Sequence, residues 1–204
     1  MELIGQYDSP FVRRVGVTLH LYGFAFERQV LSVFGDFEAI LAVNPLGKVP
    51  MLRLGDGELL FDSQMIIDHL DELAGPELSL TPAGGAARRA VLRRTAVALG
   101  MAEKVVALRS ELFRRAEEKR DADWAKRLET QVLSALDWLE GCPAEPWLSG
   151  AAPGQDDVAA AVAYRYLLER YPGRLPEGAS PVLAGMTARA EELPAFRAAP
   201  FPAV

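Results

Sequence analysis

The stretch Asn44-Pro45-Leu46-Gly47-Lys48-Val49-Pro50-Met51-Leu52-Arg53-Leu54-Gly55-Asp56-Gly57-Glu58-Leu59-Leu60-Phe61-Asp62-Ser63-Gln64 decides how the rest of the chain is read. It predicts a loop, a proline corner, a strand, a tight turn, a second strand and the start of a helix. Met51–Leu54 and Leu59–Phe61 are short, mainly apolar runs separated by Gly55-Asp56-Gly57-Glu58, which is a hairpin signal. Pro50 heads the first run. Proline cannot donate a ladder hydrogen bond, so it belongs at the first residue of a strand. The Val49-Pro50 bond is also a place where a cis peptide is accessible, because the trans preference of X-Pro is only about 0.5–1 kcal/mol. After the second run, Asp62 and Ser63 precede the periodic apolar residues Met65, Ile66, Leu70 and Leu73. That pattern is a helix N-terminus with a capping residue. Its unpaired N–H groups and the helix dipole make a ready site for a carboxylate.

Upstream of this stretch the chain alternates. Glu2 to Tyr7 is a short apolar opening that reads as a strand. Ser9 fits a helix N-cap, and Pro10 fits the first helical position, where its missing N–H goes unnoticed. The helix extends to about Gly23, with Val12, Val15, Leu19 and Tyr22 on one face. Phe24 to Val30 alternates as a second strand, and Phe37 to Ala42 is a short, weakly helical piece. The order strand, helix, strand, helix, strand, strand, helix calls for a parallel pair of strands extended by an antiparallel hairpin. A thioredoxin-like domain has these requirements.

Downstream, Gly75-Pro76 to Gly84-Gly85 is rich in breakers and the composition changes after it. The expected organisation is therefore a domain over 1–75, a linker over 76–85 and an all-helical domain over 86–204. Ala86 to Phe113 reads as a long helix carrying Leu92, Leu99, Val106 and Phe113 at seven-residue spacing. A second helix carries the stripe Trp124, Leu128, Val132, Leu136 and Leu139. Asp156-Asp157-Val158 opens a third that runs to about Tyr171, Ser180 to Leu193 is a fourth, and the tail from Pro194 reads as irregular coil. This half contains no internal repeat and no catalytic signature of its own.

The chain has 204 residues, 50% hydrophobic and 25% charged, which is ordinary for a soluble globular protein able to bury its own core. The net charge of −6 gives no electrostatic reason to expect nucleic acid or an anionic membrane as partner. Met1-Glu2-Leu3 lacks the basic start of a signal peptide, and no apolar run is long enough to span a bilayer. The single Cys142 excludes an internal disulfide framework and fits a reducing, cytoplasmic setting. Two histidines and one cysteine leave too few ligands for a Cys/His metal site, so no metal is expected.

Tyr7-Asp8-Ser9-Pro10-Phe11-Val12-Arg13-Arg14, followed by Asn44–Pro50, a hairpin and Phe61-Asp62-Ser63, resembles the glutathione-binding half of a glutathione S-transferase. It is similar to the cytosolic bacterial members with a serine near the N-terminus. The resemblance is close over residues 1–75 and looser beyond, where it covers a helical domain of the right length. It implies a thioredoxin-like α/β domain followed by an all-α domain carrying the electrophile site. It also implies glutathione as co-substrate, a small hydrophobic electrophile as second substrate, a role in detoxification and a homodimer.

The resemblance also assigns roles, each beside a plainer reading of the residue. Ser9 becomes the residue that stabilises the glutathione thiolate; as a residue alone it is a helix cap. A hydroxyl at a helix N-terminus suits this chemistry, since its hydrogen bond and the dipole both favour the anion. Val49, held before Pro50, would pair its backbone N–H and C=O with the cysteinyl backbone of glutathione; otherwise the pair is a structural turn. Ser63 would hold the γ-glutamyl carboxylate and Asp62 the ligand amine or the loop, against simple capping for both. Lys48 would reach the glycyl carboxylate, or is an exposed loop lysine.

Arg13 and Arg14 suit a salt bridge within the fold, although an arginine nearby assists the thiolate in some relatives. His20 and His69 read as structural or surface residues. Arg88, Arg89, Arg93 and Arg94 read as a solvated face, on a helix that family dimers use at their interface. Asp157 resembles the family's capping aspartate, but Gly154 stands where a Ser or Thr would complete the capping box, which brings local stability into question. No cysteine lies near the first helix, so thiol–disulfide exchange is not expected. The cluster of serines and cysteine typical of maleylacetoacetate isomerases is also missing. Two alternatives stay open: a non-catalytic binding or interaction protein, and a glutathione-dependent peroxidase or isomerase using the same thiolate.

Overall fold

Short apolar runs bounded by turn residues make short strands. The computed structural model, described for residues 1–175 and 178–202, has four strands of three residues each: β1 (Glu2–Ile4), β2 (Glu27–Gln29), β3 (Met51–Arg53) and β4 (Leu59–Phe61). They form one sheet in the order β2-β1-β3-β4. β1 pairs with β2 in parallel and with β3 antiparallel, and β3 pairs with β4 as the expected hairpin. Helices α1 (Pro10–Leu21), α2 (Phe37–Leu41) and α3 (Ser63–Ala74) follow β1, β2 and β4. The thioredoxin-like order read from the sequence is therefore the one found.

The strands are shorter than the sequence suggests, for a local reason. Gly5 takes φ +132°, a conformation that L side chains rarely adopt, and this turn stops β1 after Ile4. With only Glu2, Leu3 and Ile4 to pair against, β2 is limited to Glu27, Arg28 and Gln29, and Phe24 to Phe26 lie outside the ladder. Leu3, Ile4, Met51 and Leu52 are fully buried, as are Val12, Val15 and Leu19 of α1 and Ile66 and Leu70 of α3. These residues are the core of this part of the chain.

The chain divides into two compact units, one of Met1–Ala83 with the segment from Glu191, the other of Gly84–Ala190. The second is helical: α4 (Gly85–Arg109), α5 (Ala122–Glu140), α6 (Gln155–Arg170) and α7 (Pro181–Glu191). α6 is buried nearly all round, from Gln155 to Tyr164 without a break, which marks it as the central helix of this unit. On α5 the stripe Leu128, Val132, Leu136 and Leu139 is buried as its spacing implies, while Trp124 is exposed.

Only one member of the seven-residue row on α4 faces the core. Leu99 is buried, whereas Leu92, Val106 and Phe113 are exposed, and the buried face is Val91, Thr95, Ala98, Leu99, Met101, Ala102, Val105 and Leu108. Small alanines let neighbouring helices approach there. The helix ends in a π-type turn, Ser110–Arg114. The tail is also more ordered than a coil: Pro194–Ala198 forms a short helix, α8. Arg13 of α1 holds this segment. Its guanidinium donates to both carboxylate oxygens of Glu191, at 2.8 and 2.6 Å, and to the carbonyl of Ala199 at 2.8 Å, and it lies over the Phe196 ring.

Candidate functional site

Strand register decides which loops meet. Ile4 at the end of β1 is paired with Met51 at the start of β3, and Met51 is paired with Phe61 at the end of β4. The loop leaving β1, the loop entering β3 and the loop leaving β4 therefore lie at one end of the sheet. They carry Ser9, Lys48-Val49-Pro50 and Asp62-Ser63 respectively. Gly5 makes the first two fit. A Cβ on it would lie 2.6 Å from Val12 Cγ2 and 3.0 Å from Val49 Cβ, so any larger residue would push the serine helix and the proline loop apart. Nothing in the sequence flags this glycine, because its importance comes from a contact between segments far apart in the chain.

Ser9 is the N-cap of α1. Its hydroxyl oxygen accepts the Val12 N–H at 3.4 Å, a long contact, and Pro10 occupies the first helical position. Accepting this bond uses a lone pair and leaves the Ser9 O–H proton available to a neighbouring acceptor. Two residues earlier, Tyr7 is buried beneath the Arg28 guanidinium, 3.5 Å from its ring centroid. Burial pushes the Tyr7 pKa up, against the lowering effect of Arg28 and Arg13, so Tyr7 stays a neutral phenol.

The second loop is braced by Asn44. Its side-chain amide donates to the Lys48 carbonyl at 2.8 Å, and its Oδ1 accepts the Leu46 N–H at 3.0 Å. The Lys48 side chain is exposed, and Val49 is half-buried. The Val49-Pro50 peptide is cis.

Asp62 is the N-cap of α3, as the sequence predicts, and accepts the Gln64 N–H at 2.8 Å. It is the one non-glycine among the described residues with positive φ, at φ 73° and ψ 129°. Such conformations are sparsely populated and persist where surroundings impose them. Ser63 follows, buried, with the guanidinium of Arg14 3.4 Å from its hydroxyl. The same Arg14 nitrogen donates to Gln64 Oε1 at 2.8 Å. Arg14 is fully buried, and burial lowers its pKa to about 10 against the raising effect of Asp71 and Asp62.

Met101, Val105 and Leu108 of α4 are each at most 2% exposed and so packed within the protein. His20 packs edge-on against Phe26. Cys142 is partly exposed, and burial raises its pKa. Among the described residues no group of three or more His, Cys, Asp or Glu is placed to hold a metal, and no helix is long and apolar enough to cross a membrane.

Known proteins match this arrangement. Residues 3–78 match the family model for the glutathione S-transferase N-terminal domain. The chain is 31% identical to maleylacetoacetate isomerase of Pseudomonas aeruginosa, over 98% of this chain and 95% of that one. It is 29% identical to a GST-like protein of Escherichia coli, over 82% of each. The crystal structure of a glutathione transferase family member from Pseudomonas fluorescens Pf-5, with bound glutathione, superposes with a TM-score of 0.88 at 32% identity, covering 99% of both chains. Shared sequence over nearly the whole length, on the same sheet and helices, leaves one assignment: the chain belongs to the glutathione S-transferase family.

Proposed function

We propose that this protein binds glutathione, lowers the pKa of its thiol and adds the resulting thiolate to small hydrophobic electrophiles. The observation that carries this reading is the meeting of Ser9, Val49-Pro50 and Asp62-Ser63 at one sheet end in a member of this family. In this reading Ser9 donates its O–H to the sulfur. A hydrogen bond and the positive end of α1 both favour the anion over the thiol. The thiolate sulfur then forms a bond to the electrophilic carbon, and the displaced electron pair leaves with the departing group. The Val49 backbone pairs with the cysteinyl residue of glutathione. Ser63 and the first turn of α3 hold the γ-glutamyl carboxylate, Asp62 takes the ligand amine, and Lys48 meets the glycyl carboxylate. The protein acts in the cytoplasm as a homodimer, for which sedimentation at twice the mass of one chain is the check.

Titration of thiolate absorbance in the protein–glutathione complex tests the central claim. Ionisation of bound glutathione below the pKa of free glutathione supports it. Binding with an unshifted thiol favours a non-catalytic binding protein, and absence of binding removes glutathione from the account.

The near-full-length likeness to an isomerase favours a second reading, in which the thiolate adds to a substrate double bond and leaves again after rotation. The two readings differ in stoichiometry. A transferase consumes one glutathione per product, whereas an isomerase turns over many substrates with glutathione held well below the substrate concentration.

A further inference from the structure

Arg14 is an unusual residue to find fully buried. A guanidinium taken out of water is costly unless its donors are used, so its partners identify what it is for. Two of them are consecutive side chains in the first turn of α3, Gln64 Oε1 at 2.8 Å and Ser63 Oγ at 3.4 Å. The carboxylates of Asp71 and Asp62 also act on it. Arg14 thus sits behind the helix end to which the glutathione reading assigns the γ-glutamyl carboxylate.

We propose that Arg14 is a positioning and specificity-determining residue for a ligand carboxylate at the N-terminus of α3. The inference rests on the glutathione reading given above. A hydroxyl has one proton and two lone pairs. With the Arg14 N–H directed at Ser63 Oγ, the Ser63 proton is left to point outward as a donor. Ser63 can then offer that proton to an anionic acceptor. The guanidinium adds a full positive charge to the partial charge of the helix end. It also counters Asp62, whose carboxylate lies at the same turn and on its own would repel an anion. The neighbouring Arg13 takes no part in this, because its donors are engaged by Glu191 and Ala199. The sequence presents the two arginines as equivalent; the packing gives one to the C-terminal segment and the other to the ligand end of α3.

The test compares three ligands by calorimetry, the first two being glutathione and its analogue with γ-aminobutyrate in place of the γ-glutamyl residue, which keeps the amine and lacks that carboxylate. A third ligand, the α-carboxamide of glutathione, keeps the amine and removes only the charge. Arg14→Met should weaken glutathione about 10-fold or more, as expected for losing support of a charged hydrogen bond. It should leave the carboxamide and the γ-aminobutyrate analogue within about 3-fold of their wild-type affinities, and leave the pH of thiolate formation unchanged. Arg14→Lys, which keeps the charge, should recover part of the selectivity and guards against a misfolded Arg14→Met. An equal loss for all three ligands would mean that Arg14 only supports the fold, and unchanged selectivity in both variants would overturn the proposal. Failure of the wild-type protein to bind glutathione would remove the parent reading and this inference together.

Discussion

Helices α3 and α6 begin with similar acidic and hydroxyl groups, and their N-termini are closed to very different degrees. At α6, Asp157 accepts the N–H groups of Leu148 at 2.7 Å, Ser149 at 3.2 Å and Gly154 at 2.9 Å. Asp156 accepts the Ser149 hydroxyl and the Arg94 Nε–H, both at 2.6 Å. Both carboxylates are buried and no room is left for an outside anion. At α3, Asp62 is exposed and accepts one backbone N–H, the hydroxyl of Ser63 faces a buried cation, and the cap residue holds a strained backbone. Capping chemistry that is saturated by its own chain builds structure. The same chemistry left open, with positive charge behind it, is free to bind.

The largest effect expected from breaking this contrast is at α6. Asp157→Ala strands three backbone donors inside the protein and should destabilise it by about 3–5 kcal/mol, read from denaturant unfolding. A loss below 1 kcal/mol would mean that water replaces the carboxylate and that the cluster is less closed than its burial implies. The pH dependence sharpens the same point. Burial, with a contribution from Asp156, pushes the Asp157 carboxyl up to about 6, against the pull of the Gly154, Leu148 and Ser149 N–H groups. A folded-state pKa above the unfolded value means that the proton stabilises the fold. The contribution is complete below about pH 4 and is lost as pH rises through about 6. The stability of wild type relative to Asp157→Asn should therefore rise on acidification from pH 7 to 4, by on the order of 2–3 kcal/mol. A flat difference would place the three N–H donors above burial in setting this group's charge.

The two ends differ as much in how far the sequence exposes them. The α3 end was legible because its signals are local: a hairpin turn, a proline at a strand start, and Asp62-Ser63 before an apolar period. The order of strands and helices in the first 75 residues follows from the same local signals. What escaped was set by contacts distant in sequence. Gly5 matters because Val12 and Val49 close on it, and Arg14 because α1 packs beside α3. The buried face of α4 follows the seven-residue row only at Leu99, because Ala98 and Ala102 lie on it and Leu92 and Val106 do not. The capping box of α6 illustrates the point from the other side. Gly154 looks like a defect, yet a Cβ there would lie 2.2 Å from Ser149 Oγ. Ser149 already fills the space a Ser or Thr at 154 would take. Gly154→Ser should therefore destabilise by roughly 1–3 kcal/mol through overpacking, and Ser149→Gly in the same chain should recover part of the loss. Stabilisation by Gly154→Ser alone would restore the view that the box is incomplete.

At α3 the corresponding change should leave the fold almost untouched. Ser63→Ala removes a hydroxyl whose contact to Arg14 is long, and Gln64 retains the shorter contact to that guanidinium. Stability should fall by less than about 1 kcal/mol, the range of a single net hydrogen bond. Glutathione affinity should fall by roughly 1–3 kcal/mol, because a ligand carboxylate would lose a donor in a partly dry site. The ratio of the two losses is the informative quantity. At α6 the loss should appear in stability with little change in glutathione affinity per folded molecule; at α3 it should appear in affinity with little change in stability. If Ser63→Ala shifts unfolding and leaves calorimetric affinity unchanged, the α3 end is a structural cap like that of α6, and the open geometry around Asp62 needs another occupant.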